Sequence, residues 1–352
     1  MADLSHDASA AQIQGRKLSS IFFGGGTPSL FSPSAIGRII AGVEQTIRFE
    51  PDIEITLEAN PGTVEQDKFN GFHAAGINRL SIGIQSFNDA HLNNLGRIHS
   101  GSEAIKALTT ARKAGFNNIN LDLMHGLADQ TPEQALADLQ QAIDLETEHL
   151  SWYQLTIEPN TAFYNSPPRL PIESTLECIQ RQGHALLATA GFKTYEVSAY
   201  AKTHRQSRHN INYWQFGDYL GIGAGAHGKI SDVETKTIIR TRKTRQPQDY
   251  LSRLSAPLSS DVPLASNKNP YLAEHKLLDA GDLPLEFMMN ALRLKEGAPL
   301  HLFTARTGMP LACIETPWKN LEAKGLVEPL ATKRLMTTAL GHRFLDSVLA
   351  EF

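Results

Sequence analysis

Cysteine is nearly absent from this sequence of 352 residues, which contains only Cys178 and Cys313. Two thiols so far apart cannot form the close set of ligands that an iron–sulfur cluster or a structural zinc site needs. Both cysteines lie in stretches with helical character, and we expect them to be buried small hydrophobic residues. A low cysteine content is typical of the reducing cytoplasm, where we expect this protein to be.

Long apolar runs and an excess of one charge are also missing. No run reaches the length of about 18 residues that a transmembrane helix needs, and the opening MADLSHDASAAQ does not have the pattern of a secretory signal. The formal net charge of −4 gives no general affinity for nucleic acid or an anionic surface. With 41% hydrophobic residues the composition is that of a globular protein.

Short apolar runs alternate with helical stretches over the first two thirds of the chain. The runs are Ser20–Phe23, Ile53–Leu57, Leu80–Ile84, Ile119–Leu123 and Leu150–Ile157, and the helical stretches between them are Pro33–Thr46, Glu65–Ala75, Ser102–Lys113 and Thr131–Leu145. This alternation predicts the α/β class, with parallel strands covered by helices on the outside. A TIM-like barrel is the favoured architecture, and a doubly wound open sheet is the alternative, which would need apolar residues on both strand faces.

The strands have one apolar face and one small or polar face. Glu54, Thr56 and Glu58 share the polar face of IEITLE, and the same alternation recurs in RLSIGIQ and NINLDL. In a barrel the polar face points inward, which predicts a ligand cavity rather than a packed interior. The chain opens with a helical stretch, Ala2–Gln14, and not with a strand. We therefore expect an incomplete barrel that is open beside Ser20–Phe23.

Four segments are predicted along the chain. They are a truncated barrel core at 1–165, a barrel continuation containing HNINYW at 166–257, a linker at 258–285, and a winged-helix-like α+β module at 286–352. The module has helices followed by a short hairpin around Gly325–Leu335, an arrangement that raises the alternative of a nucleic-acid-binding protein. Its acidic and basic residues are balanced, so the basic footprint of such a protein is missing and we expect no nucleic-acid partner.

IFFGGGTPS is the most distinctive motif. Three glycines after a strand let the backbone approach a ligand closely, and Pro28 suits the first turn of a helix whose free N–H groups would favour a carboxylate or phosphate. The spacing is neither a dinucleotide fingerprint nor a P-loop. The alternative is a tight turn that binds nothing.

Polar side chains stand at or near the carboxyl ends of three predicted strands. They are Glu58, Gln85 and Asp122, and Arg97 follows in a loop. Catalytic and binding groups converge at this rim of a barrel, so we expect the set to surround a ligand with ammonium and hydroxyl groups. Taken singly, each residue is better explained as a cap or an ion-pair partner. An unrelated barrel enzyme using Glu58 and Asp122 as acid and base is a further alternative, but it leaves the glycine loop unexplained.

The motifs GGGTPSLF, LEANPGT, RLSIGIQSF, LGRIHS and NLDLMHGL, in this order, resemble the radical-SAM core shared by oxygen-independent coproporphyrinogen III oxidase and its relative HemW. The resemblance runs from about Leu18 to Phe352. It implies S-adenosylmethionine (SAM) as a cofactor, held by Gly24, Gly25, Gly26, Thr27, Glu58, Gln85, Arg97 and Asp122.

A second motif distinguishes between these relatives. His209-Asn210-x-x-Tyr213-Trp214 resembles HemW, which is regarded as a haem-binding chaperone, more than the oxidase. The resemblance implies that haem is bound and transferred to acceptor proteins such as respiratory enzymes, with His209 ligating the iron and Tyr213 and Trp214 beside the macrocycle. It leaves open peripheral membrane association and a homodimer. The other interpretation is a loop histidine with core aromatics, and porphyrin biosynthesis by an oxidase is the alternative function.

A basic run follows this motif. Arg240, Arg242, Lys243 and Arg245 could meet haem propionates, although a solvated strand face is the more ordinary interpretation.

The sequence departs from this family in one respect. Radical-SAM proteins bind a [4Fe–4S] cluster through CxxxCxxC, and this motif is absent. The motif and the strand before Ser20 are missing together, so we expect an N-terminally truncated chain that is not catalytically competent. The alternative is a true paralogue without a cluster, in which the SAM-binding residues would have no evident purpose.

Overall fold

A computed structural model of the chain describes residues 1–10, 13, 15–63, 66–232, 235, 237–253 and 269–352. The chain divides into two compact units. The half-barrel unit consists of Ser19–Ile40 and Pro51–Arg208, and the C-terminal unit consists of Met1–Leu18, Ala41–Glu50 and His209–Phe352. No pattern in the sequence predicted that the first residues would belong with the last ones, because that association depends on tertiary contacts.

Seven strands form the sheet of the half-barrel. They are β1 (Leu18–Phe23), β2 (Phe49–Ala59), β3 (Arg79–Gln85), β4 (Ile119–His125), β5 (His149–Gln154), β6 (Lys193–Glu196) and β7 (Ala199–Ala201), in the spatial order β1-β2-β3-β4-β5-β7-β6. Strands β2 to β5 pair in parallel, as predicted, whereas β7 pairs antiparallel with both β5 and β6. Strand β1 lies at the edge of the sheet, which confirms that the barrel is open beside Ser20–Phe23 within the described residues.

Helices cover the sheet and build much of the C-terminal unit. They are α1 (Ala2–Ala10), α2 (Pro33–Thr46), α3 (Gln66–Ala74), α4 (Asp89–Asn94), α5 (Gly101–Lys113), α6 (Pro132–Asp144), α7 (Ala162–Asn165), α8 (Glu173–Thr189), α9 (Arg208–Trp214), α10 (Pro247–Ser252), α11 (Leu283–Ala291), α12 (His301–Thr307), α13 (Ala312–Ala323), α14 (Ala339–Arg343) and α15 (Leu345–Leu349). The α5 and α6 boundaries follow from capping boxes at Ser100 and Thr131, each closed by the side chain three residues later.

The inner face of the half-barrel is polar in successive layers, as the strand alternation predicted. In the parallel register Ser81 lies beside Asn120, and Asn120 beside His149. These side chains are buried and hydrogen-bonded to one another. The small polar side chains therefore satisfy each other within the half-barrel, and the expected cavity is found at the carboxyl ends of the strands.

The C-terminal unit contains a three-stranded antiparallel sheet that follows α9 in the chain. Its strands are β8 (His227–Asp232), β9 (Thr237–Lys243) and β10 (Leu272–Leu277), in the order β10-β9-β8. Strand β10 lies within 258–285, where we predicted a linker. The sequence did not reveal this strand because its residues are mostly exposed and do not alternate between apolar and polar. The first part of that predicted linker, residues 258–268, lies outside the described residues.

The end of the chain is a small α+β module. Helices α11 to α13 pack around Phe287, Phe303 and Trp318, and β11 (Ala298–Pro299) pairs with β12 (Arg334–Leu335). The predicted helices and a minimal β element are present. The short hairpin expected around Gly325–Leu335 is represented by a single bridge between Val327 and Thr337. Strand β12 pairs instead with β11, which precedes α12 in the chain.

The basic run of β9 meets carboxylates of the protein itself. Lys243 is completely buried and pairs with Asp3 and Asp7 of α1 at 2.5 and 2.8 Å, while Arg240 pairs with Glu286. Arg242 pairs with Glu274 and remains partly exposed, as the interpretation of a solvated strand face expected, whereas Lys243 does not fit that interpretation. Three of the four charges are thus matched within the C-terminal unit, which leaves them less available to propionates.

Both cysteines lie in helices, but the prediction that they are buried was wrong. Cys178 is half-buried and Cys313 is exposed. The buried stripe of α8 passes through Ile179 and Leu187, and that of α13 passes through Ile314, which turns each neighbouring cysteine away from the core.

None of the helices within the described ranges is long and apolar enough to cross a membrane.

Candidate functional site

A pocket of about 180 Å³ opens at the carboxyl ends of β2, β3 and β4. It is lined by Gly26, Thr27, Pro28, Glu58, Ala59, Asn60, Ser81, Gly83, Gln85, Arg97 and Asp122. Six of the eight residues expected to contact SAM are in this lining. Sequence reasoning missed Ser81 and Gly83 as lining residues, although both share the polar face of β3 with Gln85 and could have been found by that alternation.

The glycine loop after β1 has a shape that other residues would disturb. Gly25 and Gly26 have φ angles of +79° and +63°, which favour glycine. A Cβ at Gly24 would lie 2.5 Å from the ring of Phe22 and 3.3 Å from the carboxyl carbon of Glu58. The backbone N–H of Gly25 donates to Glu58 Oε2 at 3.0 Å, so the loop and the strand end form one site.

The helix expected directly after this loop is absent. Thr27 precedes only a 3₁₀ turn, Pro28–Leu30, and α2 begins later at Pro33. Proline does occupy the first position of the turn, as its fixed φ allows. The backbone at this side of the pocket therefore comes from the glycine loop and the 3₁₀ turn, and not from the start of an α-helix.

Gln85 is held in a strained conformation at the end of β3. Its φ is +65°, which is unfavourable for a residue with a Cβ, and the pairing with β4 is irregular at this point. The side chain is 4% exposed, and its Oε1 has no hydrogen-bond partner within the described part of the chain. A buried, unpaired carbonyl oxygen in a pocket wall indicates a ligand that donates a hydrogen bond there.

Two carboxyl groups make the pocket acidic. Burial raises the pKa of Glu58, the Gly25 N–H opposes this, and the nearby charge of Asp122 raises it further. Burial also raises the pKa of Asp122, against hydrogen bonds from Asn120 and Ser81 and the charge of Arg79. Two carboxylates in one small pocket favour a cationic ligand, because its positive charge would relieve their mutual repulsion.

The loop that carries Arg97 is anchored from below. Arg97 is exposed at the pocket rim, and His99 binds the carbonyl oxygen of Ile84 through Nε2 at 3.1 Å. Burial lowers the pKa of His99, so the ring is neutral near pH 7 and donates to that carbonyl. This contact ties the Arg97 loop to the residue that precedes Gln85.

The HNINYW segment forms α9 after its first residue, Arg208, and belongs to the C-terminal unit. His209 is half-buried in its first turn, and Tyr213 follows one turn later. The Tyr213 ring contacts those of Trp214 and Tyr219, with centroids 5.1 and 5.0 Å apart. The Arg293 guanidinium lies 4.4 Å from the Trp214 ring centre.

Trp214 also packs against the core of the C-terminal unit, and its Nε1 has no partner among the described residues. The structure thus brings the three predicted haem residues together on one short helix. It packs the Tyr213 ring against Tyr219 and the Trp214 ring against the core of the C-terminal unit.

Ligands for a metal cluster are not gathered anywhere in the described ranges. No group of three or more histidine, cysteine, aspartate or glutamate side chains is placed to hold a metal ion there. The two cysteines of the whole sequence cannot ligate a [4Fe–4S] cluster, so the residues present do not fit that cofactor.

Comparisons with known proteins agree with this geometry. The family model of the Radical SAM superfamily matches residues 5–141. The haem chaperone HemW of Haemophilus influenzae is 51% identical over 303 residues, covering 86% of this chain and 75% of the relative. HemW of Escherichia coli is 46% identical over 350 residues, covering 99% of this chain and 87% of the relative.

The fold has a counterpart among solved structures. Coproporphyrinogen III oxidase (HemN) from Escherichia coli, described as a radical SAM enzyme, superposes with a TM-score of 0.74 at 21% identity, over 99% of this chain and 82% of that one. This likeness confirms the incomplete radical-SAM barrel with its C-terminal module. Together with the high identity to two HemW proteins over most of their length, it shows that this chain belongs to the HemW family of haem chaperones within the radical SAM superfamily.

Proposed function

We propose that this protein is a haem chaperone that binds haem through α9 and transfers it to acceptor proteins, and that its half-barrel pocket binds SAM. The observation that carries the haem function is the near-complete match to HemW proteins, combined with the placement of His209 in the first turn of α9. Escherichia coli HemN shares the fold at only 21% identity, so that likeness does not favour the oxidase function.

SAM fits the residues of the pocket. Its ammonium group and ribose hydroxyls are donors. They would meet the carboxylates of Glu58 and Asp122 and the Oε1 of Gln85, which has no partner within the ranges that the structure describes. The glycine loop leaves room that a Cβ at Gly24 would remove. When bound beside a reduced iron–sulfur cluster, SAM supplies the radical chemistry of the superfamily. This chain lacks the cluster ligands, so we assign the pocket a binding role only.

His209 is the group in α9 best able to ligate haem iron, because a neutral imidazole nitrogen is a good axial ligand. Trp214 packs on the core and beneath Arg293, and Tyr213 packs between Trp214 and Tyr219. These contacts support a role for both aromatic side chains in holding α9, with His209 presented to the haem. Transfer to respiratory enzymes, a cytoplasmic location, peripheral membrane association and a homodimer remain predictions.

A haem titration of the purified chain tests this function. We expect His209→Ala to weaken haem binding by about tenfold or more and to change the Soret absorption, because loss of an axial ligand alters the iron coordination. The matched control is His301→Ala, which removes an exposed histidine from α12 of the same unit. A folded His209→Ala variant with the affinity and spectrum of the parent chain would show that another group ligates the iron.

A further inference from the structure

We propose that His149 is a positioning residue for the SAM pocket, which it does not touch: through Asn120 it fixes the orientation of the Asp122 carboxylate. This inference rests on the proposed SAM site. His149 is absent from the pocket lining and lies below it on the inner face of the half-barrel. Its side chain is completely buried.

A continuous chain of hydrogen bonds joins the two residues. Asn120 Nδ2 donates to Asp122 Oδ1 at 2.8 Å and to Ser81 Oγ at 2.8 Å. Ser81 Oγ in turn donates to Asp122 Oδ2 at 2.9 Å. On the other side, Asn120 Oδ1 lies 2.6 Å from His149 Nδ1, and His149 Nε2 lies 2.8 Å from the hydroxyl oxygen of Tyr195.

The chemistry of these groups fixes which atom donates. A carboxylate only accepts, so the amide nitrogen of Asn120 must face Asp122 and the amide oxygen must face His149. His149 therefore donates through Nδ1–H and accepts at Nε2 from the Tyr195 hydroxyl. Burial lowers the pKa of His149 far below its usual value, with the charge of Arg79 acting in the same direction, and this keeps the ring in the neutral form that the arrangement requires.

The role of His149 follows from what Asn120 would otherwise do. The two ends of an amide have nearly the same shape, and rotation by half a turn would point the Asn120 oxygen at the Asp122 carboxylate. Two acceptors would then face each other, and the half-buried carboxylate of Asp122 would lose a donor. The Nδ1–H of His149 opposes this rotation, assisted by a hydrogen bond of 3.1 Å from Ser151 Oγ to the same amide oxygen.

Two substitutions at one position separate positioning from space filling. His149→Gln can keep both bonds, with its amide nitrogen donating to Asn120 and its amide oxygen accepting from Tyr195. His149→Leu fills much of the space and loses both. By isothermal titration with SAM we expect about tenfold weaker binding for the leucine variant, since a buried hydrogen bond is lost, and a change within about twofold for the glutamine variant.

The matched control is His125→Leu. His125 is a buried histidine at the end of β4, its Nδ1 has no partner within the described ranges, and it is outside this network. We expect it to alter the urea unfolding midpoint without weakening SAM binding. Equal weakening by the leucine and glutamine variants at position 149, or none by either, would overturn the positioning role.

The titration also separates this inference from the function on which it rests. A parent chain that does not bind SAM removes both the proposed site and the positioning role. If a folded His149→Leu variant binds SAM as tightly as the parent chain does, the SAM site stands and only the positioning role of His149 is overturned. A measurement without SAM checks the network directly: ¹⁵N NMR of the His149 ring should show the neutral form with the proton on Nδ1, and a proton on Nε2 alone or on both nitrogens would overturn it.

Discussion

The half-barrel and the C-terminal unit present their candidate sites in different ways. In the half-barrel the pocket carboxylate of Asp122 is held by Ser81 and Asn120, and Gln85, whose side-chain oxygen has no partner among the described residues, is buried on a strained backbone. In the C-terminal unit His209 lies on a seven-residue helix whose aromatic side chains pack on their neighbours. A preorganised pocket suits a small charged molecule that is retained, whereas a short, half-buried helix suits a flat ligand that must be passed on.

The largest expected effect concerns the [4Fe–4S] cluster, whose cysteine ligands are missing from both units. Anaerobic reconstitution with iron and sulfide should leave the 352-residue chain without a [4Fe–4S] cluster, because two distant thiols cannot supply the ligands. Iron and acid-labile sulfide analysis measures this. The Cys178→Ser/Cys313→Ser variant should retain the same background iron, and near-stoichiometric cluster in the parent chain would contradict the assignment.

A large effect is also expected at the glycine loop. Gly24→Ala should weaken SAM binding by about tenfold or more, because the new Cβ would overlap the ring of Phe22 and crowd Glu58. Isothermal titration gives the affinity. Gly281→Ala is the matched control, since a Cβ there meets no atom within 4 Å. Unchanged SAM affinity in Gly24→Ala would mean that the ligand does not approach this loop.

The sequence predicted the half-barrel site better than the rest of the molecule, for a physical reason. Glu58, Gln85 and Asp122 belong to strands whose alternation is visible residue by residue, and parallel strands bring their carboxyl ends to one edge. The bond between Asn120 and His149 was not predictable, because it depends on the register between β4 and β5. The exposure of Cys313 depends on which face of α13 the module buries.

We expect a smaller effect of pH on SAM binding, which arises from the two carboxyl groups of the half-barrel pocket. Their pKa values are raised, so lowering the pH neutralises them earlier than ordinary carboxyls, and a cationic ligand then loses its partners. SAM affinity should fall by about threefold to tenfold between pH 7 and pH 5. Asp122→Asn should reduce this dependence, whereas Glu103→Gln, at a fully exposed carboxyl whose pKa is lowered, should preserve it. A flat profile in the parent chain would show that the carboxylates do not bind the cationic group.

A crossed titration tests whether SAM and haem bind at separate sites, one on each unit. The parent chain, Gly24→Ala and His209→Ala are each titrated with SAM and with haem, and folding is checked by circular dichroism. We expect Gly24→Ala to weaken SAM binding and leave haem binding unchanged, and His209→Ala to do the reverse. Loss of both ligands from either folded variant, or of neither ligand from both, would contradict it.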